Sequence, residues 1–293
     1  MSAATRPAPA AAAADRMRAR VAALIAGASI ELSPRDEWAG RRLRDLFAAG
    51  TGVFVNHPGS VTHQHIAAAC ARLRQAGFEP VPHVAARRLA SFTQANDFLR
   101  RIAGEAGVET VLLIGGDAEP PVGPFHDSLA LLASGVVERH GIRSIAFAGY
   151  PEGHPLIGAH ALDAALQAKI ALADRLGLAA SVVTQFAFEA EPVLRWIEAL
   201  KARGITCPVR VGVAGPASVA TLAKFAVRCG IGASLRALAR GHTAFARILS
   251  EANPDALIEA LVTGEEHGSR IDSLHVFTFG GVRRTAEWAH AHG

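Results

Sequence analysis

The 293-residue sequence has few cysteines, little net charge and no long apolar run. Its three cysteines, Cys70, Cys207 and Cys229, form no CxxC pair, which argues against a disulfide framework or a cysteine-rich zinc site and fits a reducing cytosol. The formal charge is only +4, and because the charged residues are scattered, no nucleic-acid-binding surface is indicated. No stretch reaches about 18 uncharged apolar residues, so no transmembrane helix is expected.

Tyrosine is also scarce, since Tyr150 is the single one beside 13 Phe and 3 Trp. Half of the residues are hydrophobic, which excludes a disordered chain, and the length suits one large domain or two ordinary ones. Residues 1–14 are rich in Ala and Pro without the leucine-rich core of a signal peptide. We therefore expect a disordered tail on a cytoplasmic protein, with an organelle transit peptide as the alternative.

Short β-branched runs alternate with longer Ala/Leu/Arg segments that have helical spacing. The predicted strands are 29–32, 53–55, 80–84, 108–114, 144–147, 181–184, 209–213 and 274–279. The predicted helices are 15–26, 36–49, 61–76, 92–106, 127–139, 160–176, 191–203, 218–229 and 283–292, with an extra helical stretch near 235–267.

Eight strand–helix units in strict alternation predict parallel strands, and eight is the number that closes a barrel. The alternative, an open doubly wound sheet, is favoured by a glycine fingerprint after the first strand, and residues 31–35 contain no glycine. We therefore expect residues 15–293 to form a single (β/α)8 TIM barrel, an α/β fold. The extra helices are expected at the N-terminus and between strands seven and eight.

Acidic side chains end two of the predicted strands. Glu31 ends the first strand and Asp117 follows the fourth, and in this fold the catalytic groups come from the C-terminal strand ends. A carboxylate there loses hydration, and it must be paired, hydrogen-bonded or have a raised pKa. Both residues are candidate acid–base groups, and for each a helix N-cap or a salt bridge to a neighbouring arginine is the alternative.

Histidines, glycines and one helix start are weaker candidates for ligand binding. His83 and His154 follow the third and fifth strands, but no third ligand has a metal-binding spacing, which favours hydrogen-bonding histidines over a metal site. Gly115 and Gly116 permit a flat ligand or phosphate close to the backbone, or form an ordinary tight turn. The start of the extra helix at 232–234 is a possible phosphate site. The lack of a GxSxG segment argues against a serine hydrolase.

Several motifs follow one another in the order and at the intervals of one known family. They are Glu31 in the first strand, PHVAAR at 82–87, LLIGGD at 112–117, GYPEGHP at 149–155, Lys169, TQFAF at 184–188 and PVxxGV at 208–213. With this set the sequence resembles the methylenetetrahydrofolate reductases of the bacterial single-domain type, over nearly all of the chain after the tail. The resemblance implies a (β/α)8 barrel that reduces 5,10-methylenetetrahydrofolate to 5-methyltetrahydrofolate with NADH or NADPH, usually through FAD. It also implies a place in one-carbon metabolism and methionine biosynthesis.

The resemblance implies roles for individual residues as well. Glu31 matches the catalytic glutamate, a general acid that helps open the imidazolidine ring of the substrate to an iminium. Asp117 matches the aspartate that hydrogen-bonds the pterin and stabilises the developing positive charge. Gln185 matches a glutamine that contacts the pterin, and Phe186 beside it is a further substrate contact. The positions that line the flavin site are matched by His83, Tyr150, His154 and Lys169. Gly115 and Gly116 are further cofactor-binding candidates because they permit close approach to the backbone.

The departures from the family concentrate at positions that hold the flavin. Family residues are replaced at Asn56, Gly115, Phe125, Leu162, Ala165, Val219 and 279–281. Because several polar anchors of one ligand are missing, we expect the protein to bind flavin weakly or not at all. Hydride would then pass directly from the nicotinamide to the iminium carbon.

Two other functions are open on the same barrel. One is a folate-dependent one-carbon or methyl-transfer enzyme, because Glu31 and Asp117 would also serve pterin binding there. The other is a non-catalytic barrel that binds folate or flavin. In each case the expected partners are small molecules, a folate and in the reductase a nicotinamide nucleotide, and neither a nucleic acid nor a membrane.

Overall fold

A computed structural model describes residues 9–35, 41–229, 253–265 and 271–292. Within these residues eight parallel strands pair in chain order, and the last pairs with the first to close a barrel. The strands are β1 (Ser29–Leu32), β2 (Gly52–Val55), β3 (Glu79–Ala85), β4 (Thr110–Ile114), β5 (Ser144–Gly149), β6 (Ala179–Thr184), β7 (Val209–Ala214) and β8 (Ser273–Phe277). The expected (β/α)8 barrel is confirmed, and the open sheet is excluded.

Helices follow the strands around the barrel. They are α1 (Pro9–Ala26), α2 (Arg41–Arg44), α3 (His63–Gln75), α4 (Phe92–Ala106), α5 (Ser128–Ala133), α6 (Ala159–Arg175), α7 (Ala190–Ala202), α8 (Val219–Cys229), α9 (Asp255–Glu265) and α10 (Val282–His290), with one-turn 3₁₀ helices at Ala86–Arg88 and Glu138–His140. Thr62, Ser91 and Asp127 cap α3, α4 and α5, because each side chain accepts a hydrogen bond from a backbone N–H of the first turn. None of the described helices is both long enough and apolar enough to cross a membrane.

Three helix boundaries differ from those predicted. α1 begins at Pro9, before the expected start at Asp15, because its alanine run favours helix and proline is tolerated in a first turn. The helix predicted over 36–49 is described only as the single turn α2; Arg44 there donates to the carbonyl oxygens of Gln75 and Ala76 at the end of α3. α5 stops at Ala133 because Gly135 takes a positive φ of 74°.

The extra helical stretch expected between β7 and β8 is described only in part. α9 lies within it, and its glutamate Glu265 makes a salt bridge of 2.7 Å to Arg20 of α1. This contact joins the two elements that lie outside the regular strand–helix repeat. The candidate phosphate site at 232–234 lies outside the described residues.

The two faces of the barrel strands have different surroundings. Outward side chains form one large core with the helices, whereas Phe54, Val81, Leu112, Ala146 and Val183 form a small apolar cluster inside the barrel. Glu31 pairs in register with Phe54, and His83 with Leu112, so both polar residues share the inward face with this cluster. The barrel interior is therefore apolar with a few polar side chains set against it.

Candidate active site

Glu31 is the acidic group inside the barrel. Its side chain is 16% exposed, and its Oε2 atom lies 3.4 Å from Nε2 of His83 and 3.8 Å from Nε2 of His275. Asn56, at the end of β2, donates from Nδ2 to Oε1 at 3.3 Å. A buried carboxylate must be paired, hydrogen-bonded or have a raised pKa, and Glu31 is both paired with histidines and hydrogen-bonded by Asn56.

His275 was not among the residues predicted for the site. It lies on β8, is only 1% exposed, and packs edge-on against the ring of Phe54 at 4.5 Å between ring centroids. Its Nδ1 atom is 2.9 Å from the hydroxyl of Ser29, and that hydroxyl is 3.4 Å from the carbonyl oxygen of Leu274. The sequence signal was the alternation in Ser273–Phe277, which puts His275 on one face with Phe277, but His275 stands inside the strand and not at its end.

The Ser29 contacts indicate how His275 is protonated. The Ser29 hydroxyl lies closer to Nδ1 of His275, at 2.9 Å, than to the Leu274 carbonyl oxygen, at 3.4 Å. When it donates to Nδ1, the proton of the neutral ring is on Nε2, which faces Glu31. Burial lowers the pKa of His275, although the nearby Glu31 carboxylate opposes that effect. The Ser29–His275–Glu31 arrangement is therefore suited to moving a proton to or from the carboxylate.

The protonation of Glu31 is set by two opposing effects. Burial alone would raise its pKa, but the close approach of the His275 and His83 rings outweighs burial and holds the pKa of Glu31 below its usual range. The carboxylate is consequently ionised at neutral pH. A role as general acid requires it to receive a proton first, and the adjacent imidazoles are the groups in contact that can supply one.

Asp117 lies in a different environment, on the loop after β4. Its side chain is 70% exposed and pairs with Arg88, whose Nε donates to Oδ1 at 3.0 Å and whose Nη2 donates to the same oxygen. Burial would raise the pKa of Asp117, but the hydrogen bond from Arg88 lowers it below the usual value. The salt bridge considered as an alternative for this residue is present, and the carboxylate is still largely exposed.

Two further histidines lie near the Arg88–Asp117 pair. The rings of His57 and His63 meet edge-on at 4.9 Å, and that of His63 lies 4.7 Å from the ring of Phe98. Burial is the main reason that the pKa of His57 falls to about 3, and the positive charge of Arg88 contributes. The buried atoms Oδ1 of Asn56, Nδ1 of His57 and Nε2 of His63 have no hydrogen-bond partner among the described protein groups. This side of the barrel mouth is therefore polar and holds neutral imidazoles.

The ends of β6, β7 and β8 form the opposite, aromatic side of the mouth. The rings of Phe225 and Phe279 stack at 4.0 Å, and those of Phe277 and Phe279 stack at 5.4 Å. Phe186 meets Phe279 edge-on at 4.9 Å and is only 1% exposed, so Phe225, Phe277 and Phe279 are the rings of this group that remain partly accessible. The side-chain oxygen of Gln185 accepts from the Phe186 backbone N–H at 3.1 Å.

The residues matched to the flavin site lie in three separate places. His83 is beside Glu31 inside the barrel. Tyr150 and His154 meet edge-on at 5.1 Å after β5, and Nδ1 of His154 accepts from the backbone N–H of Leu156. Lys169 lies in the helix layer, with its Nζ 5.4 Å from the ring centroid of Phe147, a residue of the outer core.

The glycine pair after β4 has a structural role of its own. Gly116 takes a φ of 88°, which favours glycine, and a Cβ atom there would lie 3.0 Å from Cβ of Ala85. The carbonyl oxygen of Gly115 accepts from the backbone N–H of Arg87 at 2.9 Å. The turn alternative for this pair is therefore present, and the turn places Asp117 next to Arg88.

The described residues do not fit FAD held as the family resemblance implies. His83 is inside the barrel whereas Lys169 lies in the helix layer, and Phe125, in place of a family tyrosine, is 2% exposed against the ring of Phe92. The two arginines nearest the glycine turn already have carboxylate partners, Arg87 with Glu119 and Arg88 with Asp117.

No metal-binding cluster of three or more His, Cys, Asp or Glu residues is present in the described ranges. The three cysteines are free thiols. Burial raises the pKa of Cys70 to about 12, which makes its thiol inert near neutral pH.

Comparison with known proteins agrees with the barrel fold. A family model described as methylenetetrahydrofolate reductase matches residues 39–245. Among solved structures, the chain is similar to an uncharacterized protein from Clostridium thermocellum, described as binding two copies of 5-methyl-5,6,7,8-tetrahydrofolic acid. The TM-score is 0.57 at 11% identity, covering 93% of this chain and 95% of that chain. A Yersinia pestis DHPS with a pterine-sulfa conjugate gives a TM-score of 0.49 at 13% identity, covering 92% and 93% of the two chains, and no inference rests on it. At 11% identity, the first likeness establishes a shared fold.

Proposed function

The chain belongs to the methylenetetrahydrofolate reductase family, and we propose that it reduces 5,10-methylenetetrahydrofolate to 5-methyltetrahydrofolate with NADH or NADPH. The observation that carries the proposal is the Glu31 carboxylate, held inside the barrel between two imidazoles at 3.4 and 3.8 Å. The Clostridium thermocellum protein, which shares the fold, is described as binding the product of this reaction.

In the proposed reaction, Glu31 delivers a proton to the ring nitrogen that leaves. The bond between that nitrogen and the methylene carbon then breaks, and its electron pair stays on the protonated nitrogen. The methylene carbon becomes part of an iminium cation with the other nitrogen, and hydride from the nicotinamide reduces it to a methyl group. His275 relays the proton that Glu31 passes on: once its ring has taken up a second proton, Nε2–H gives one to the facing carboxylate and the ring returns to its neutral form, which burial favours.

The two carboxylates divide the work. Glu31 is enclosed and in contact with proton donors, whereas Asp117 is exposed and kept ionised by Arg88. An ionised group at the barrel mouth stabilises the positive charge that develops on the iminium. We assign the pterin contacts to Asp117 and Gln185, and we assign the apolar face of the bound rings to Phe277 and Phe279.

We propose that hydride passes directly from the nicotinamide, without FAD. The poor fit of the described residues to FAD supports this proposal. Direct transfer requires the folate and the nicotinamide nucleotide to be bound together, with the donor and acceptor carbons in contact. His83, Tyr150 and His154 then line the nicotinamide side of the site in place of a flavin.

Purified protein tests the proposal in one assay series. NADH or NADPH oxidation, followed at 340 nm, should occur only when 5,10-methylenetetrahydrofolate is added, and 5-methyltetrahydrofolate should accumulate in equal amount. Initial rates at several concentrations of both substrates should give intersecting double-reciprocal lines. Folate binding without any oxidation would instead favour a binding or transfer protein.

The visible spectrum tests the flavin part separately. We expect no flavin absorbance in the purified protein and no increase in rate when FAD is added. A yellow protein with one flavin per chain, or parallel double-reciprocal lines, would overturn direct transfer and leave the reductase assignment standing. We also propose that the enzyme is cytoplasmic, which its free cysteines support. The single closed barrel supports one catalytic domain over residues 15–293.

A further inference from the structure

Arg88 is held on two sides at the barrel mouth. It ends the 3₁₀ helix Ala86–Arg88 after β3, and its side chain is only 19% exposed. On one side it pairs with Asp117, and on the other it packs against Gly59 of the loop after β2. A Cβ atom at Gly59 would lie 2.6 Å from Nη2 and 2.8 Å from Nη1 of Arg88. The guanidinium therefore fills the space between the β2 and β4 loops.

The pairing engages one oxygen of Asp117. Both guanidinium hydrogen bonds go to Oδ1, and within the described residues none goes from Arg88 to Oδ2. The aspartate side chain is nevertheless 70% exposed. An exposed carboxylate ordinarily samples several rotamers, and a two-point contact from a planar, half-enclosed guanidinium fixes one of them.

Other charged and titratable groups face Asp117 as well. Arg228 of α8 acts on Asp117 through its charge, and the carboxylate in turn acts on His57, on the loop after β2. The pKa of His57 falls to about 3, mainly through burial, so this ring is neutral near pH 7. Arg88 is accordingly the cation in hydrogen-bond contact with Asp117, and Arg228 is a second, more distant one.

We propose that Arg88 is a positioning residue that holds the Asp117 carboxylate in one rotamer, with Oδ2 directed to the N–H donors of the folate ring. The inference rests on the proposed function, because it takes a folate as the ligand of Asp117. Arg88 itself does not touch the substrate. Its effect is on the orientation and ionisation of the group that does.

Three variants test this role. Arg88→Met removes the guanidinium and both of its hydrogen bonds to Asp117. Gly59→Ala displaces the guanidinium without changing either charged residue. Arg87→Met is the matched control, because Arg87 lies on the same 3₁₀ helix and its salt bridge is made to Glu119 at 2.8 Å. Each protein is first compared with wild type by thermal unfolding, so that only folded variants enter the comparison.

The first readout is calorimetric binding of 5-methyltetrahydrofolate. We expect affinity to fall about three- to fivefold in Arg88→Met and in Gly59→Ala, the scale of an oriented but exposed ion pair, and to stay within about twofold in Arg87→Met. Arg88→Lys should recover only part of the loss, because a lysine supplies charge without the planar guanidinium. Wild-type affinity in Arg88→Met would overturn the proposal.

The second readout needs no folate. The carbon-13 resonance of the Asp117 carboxyl, assigned with Asp117→Asn, should titrate at a higher pH in Arg88→Met than in wild type, since Arg88 lowers the pKa of Asp117. An unchanged titration would contradict the role. If the protein binds folate, loses affinity in Arg88→Met and yet oxidises no NADH or NADPH, the role of Arg88 stands and the proposed reaction fails. If the reaction occurs and Arg88→Met binds folate with wild-type affinity, the proposed reaction stands and the role of Arg88 fails.

Discussion

Replacing Glu31 by glutamine separates the chemistry of the barrel interior from its structure. The amide keeps the volume of the carboxyl group, and it still has one oxygen for Asn56 and an N–H₂ group that faces His83 and His275. It cannot carry a proton to the substrate. The variant therefore removes acid catalysis while leaving the packing of the site close to that of wild type.

The expected magnitudes differ between turnover and stability. Losing a positioned general acid lowers kcat by about 10²- to 10⁴-fold, which corresponds to about 3–5 kcal/mol in the activation barrier. The contacts of Glu31 are long, at 3.3, 3.4 and 3.8 Å, and burial of the carboxylate opposes them. Because the folded protein nevertheless lowers the pKa of Glu31, it favours the carboxylate over a neutral group, and we expect Glu31→Gln to lower the free energy of unfolding at pH 7 by about 1–3 kcal/mol.

The stability difference should also depend on pH with a definite sign. The pKa of Glu31 in the folded protein is lower than in the unfolded chain, where it is about 4.3. Any stability that the ionised carboxylate contributes is complete above about pH 4.3 and is lost as the pH falls through the folded pKa. Glu31→Gln should lack this component.

The assay is folate-dependent NADH or NADPH oxidation at saturating substrates, beside a denaturant unfolding curve of the same preparation. Binding of 5-methyltetrahydrofolate serves as the control for an intact site and should change by less than about tenfold. A variant with near wild-type kcat would refute Glu31 as the proton donor. Loss of kcat together with loss of more than about 3 kcal/mol of stability would refute the claim that the effect is chemical.

Three further predictions concern neighbouring residues and the barrel. Ser29→Ala should lower kcat and cost about 1–3 kcal/mol of unfolding free energy, because Nδ1 of buried His275 loses its partner; equal kcat would argue against the relay. Because the pKa of His57 is about 3 in the folded protein and about 6.5 in the unfolded chain, the stability that its neutral form contributes is complete above about pH 6.5. Wild-type unfolding free energy should fall with decreasing pH below that value, by up to about 1.4 kcal/mol per pH unit, more steeply than in His57→Gln. Gly280→Ala should lower the free energy of unfolding by at least about 3 kcal/mol, because its Cβ would lie 1.9 Å from the backbone oxygen of Pro216. Gly104→Ala is the control: its Cβ would have nothing within 4 Å, and the variant should unfold at the wild-type temperature or higher.

The fold was predictable because each strand–helix unit has its own local signal. The strands are short apolar runs, and capping residues such as Ser91 mark helix starts, so that α4 has the bounds predicted for it. The boundaries that differed depend on information beyond local pattern. α2 is shaped by contacts between Arg44 and the end of α3, which no periodicity in 36–49 indicates.

The candidate site was only partly predictable for the same reason. Glu31 and Asp117 stand at strand ends, where the barrel rule directs attention, but the rule says nothing about their partners. His275 comes from the far end of the chain and reaches Glu31 only because β8 closes on β1. The Arg88–Asp117 pair likewise depends on the turn at Gly116, whose positive φ is not readable from sequence.

The barrel mouth has two chemically different sides, and this division constrains how two substrates can bind without a flavin. The β1–β4 side carries Glu31, Asp117 and neutral histidines, whereas the β6–β8 side carries stacked phenylalanine rings. A pterin needs hydrogen bonds at its edge and proton delivery to its ring nitrogen, which the polar side offers. Two flat rings exchanging hydride must lie face to face, so a nicotinamide bound with the pterin has to occupy the space between the pterin and Tyr150 or the phenylalanine rings. Replacement of Phe279 by leucine should therefore raise the KM for at least one of the two substrates while leaving the pKa of Asp117 unchanged. If neither KM changed, the aromatic side would have no part in binding the reacting rings.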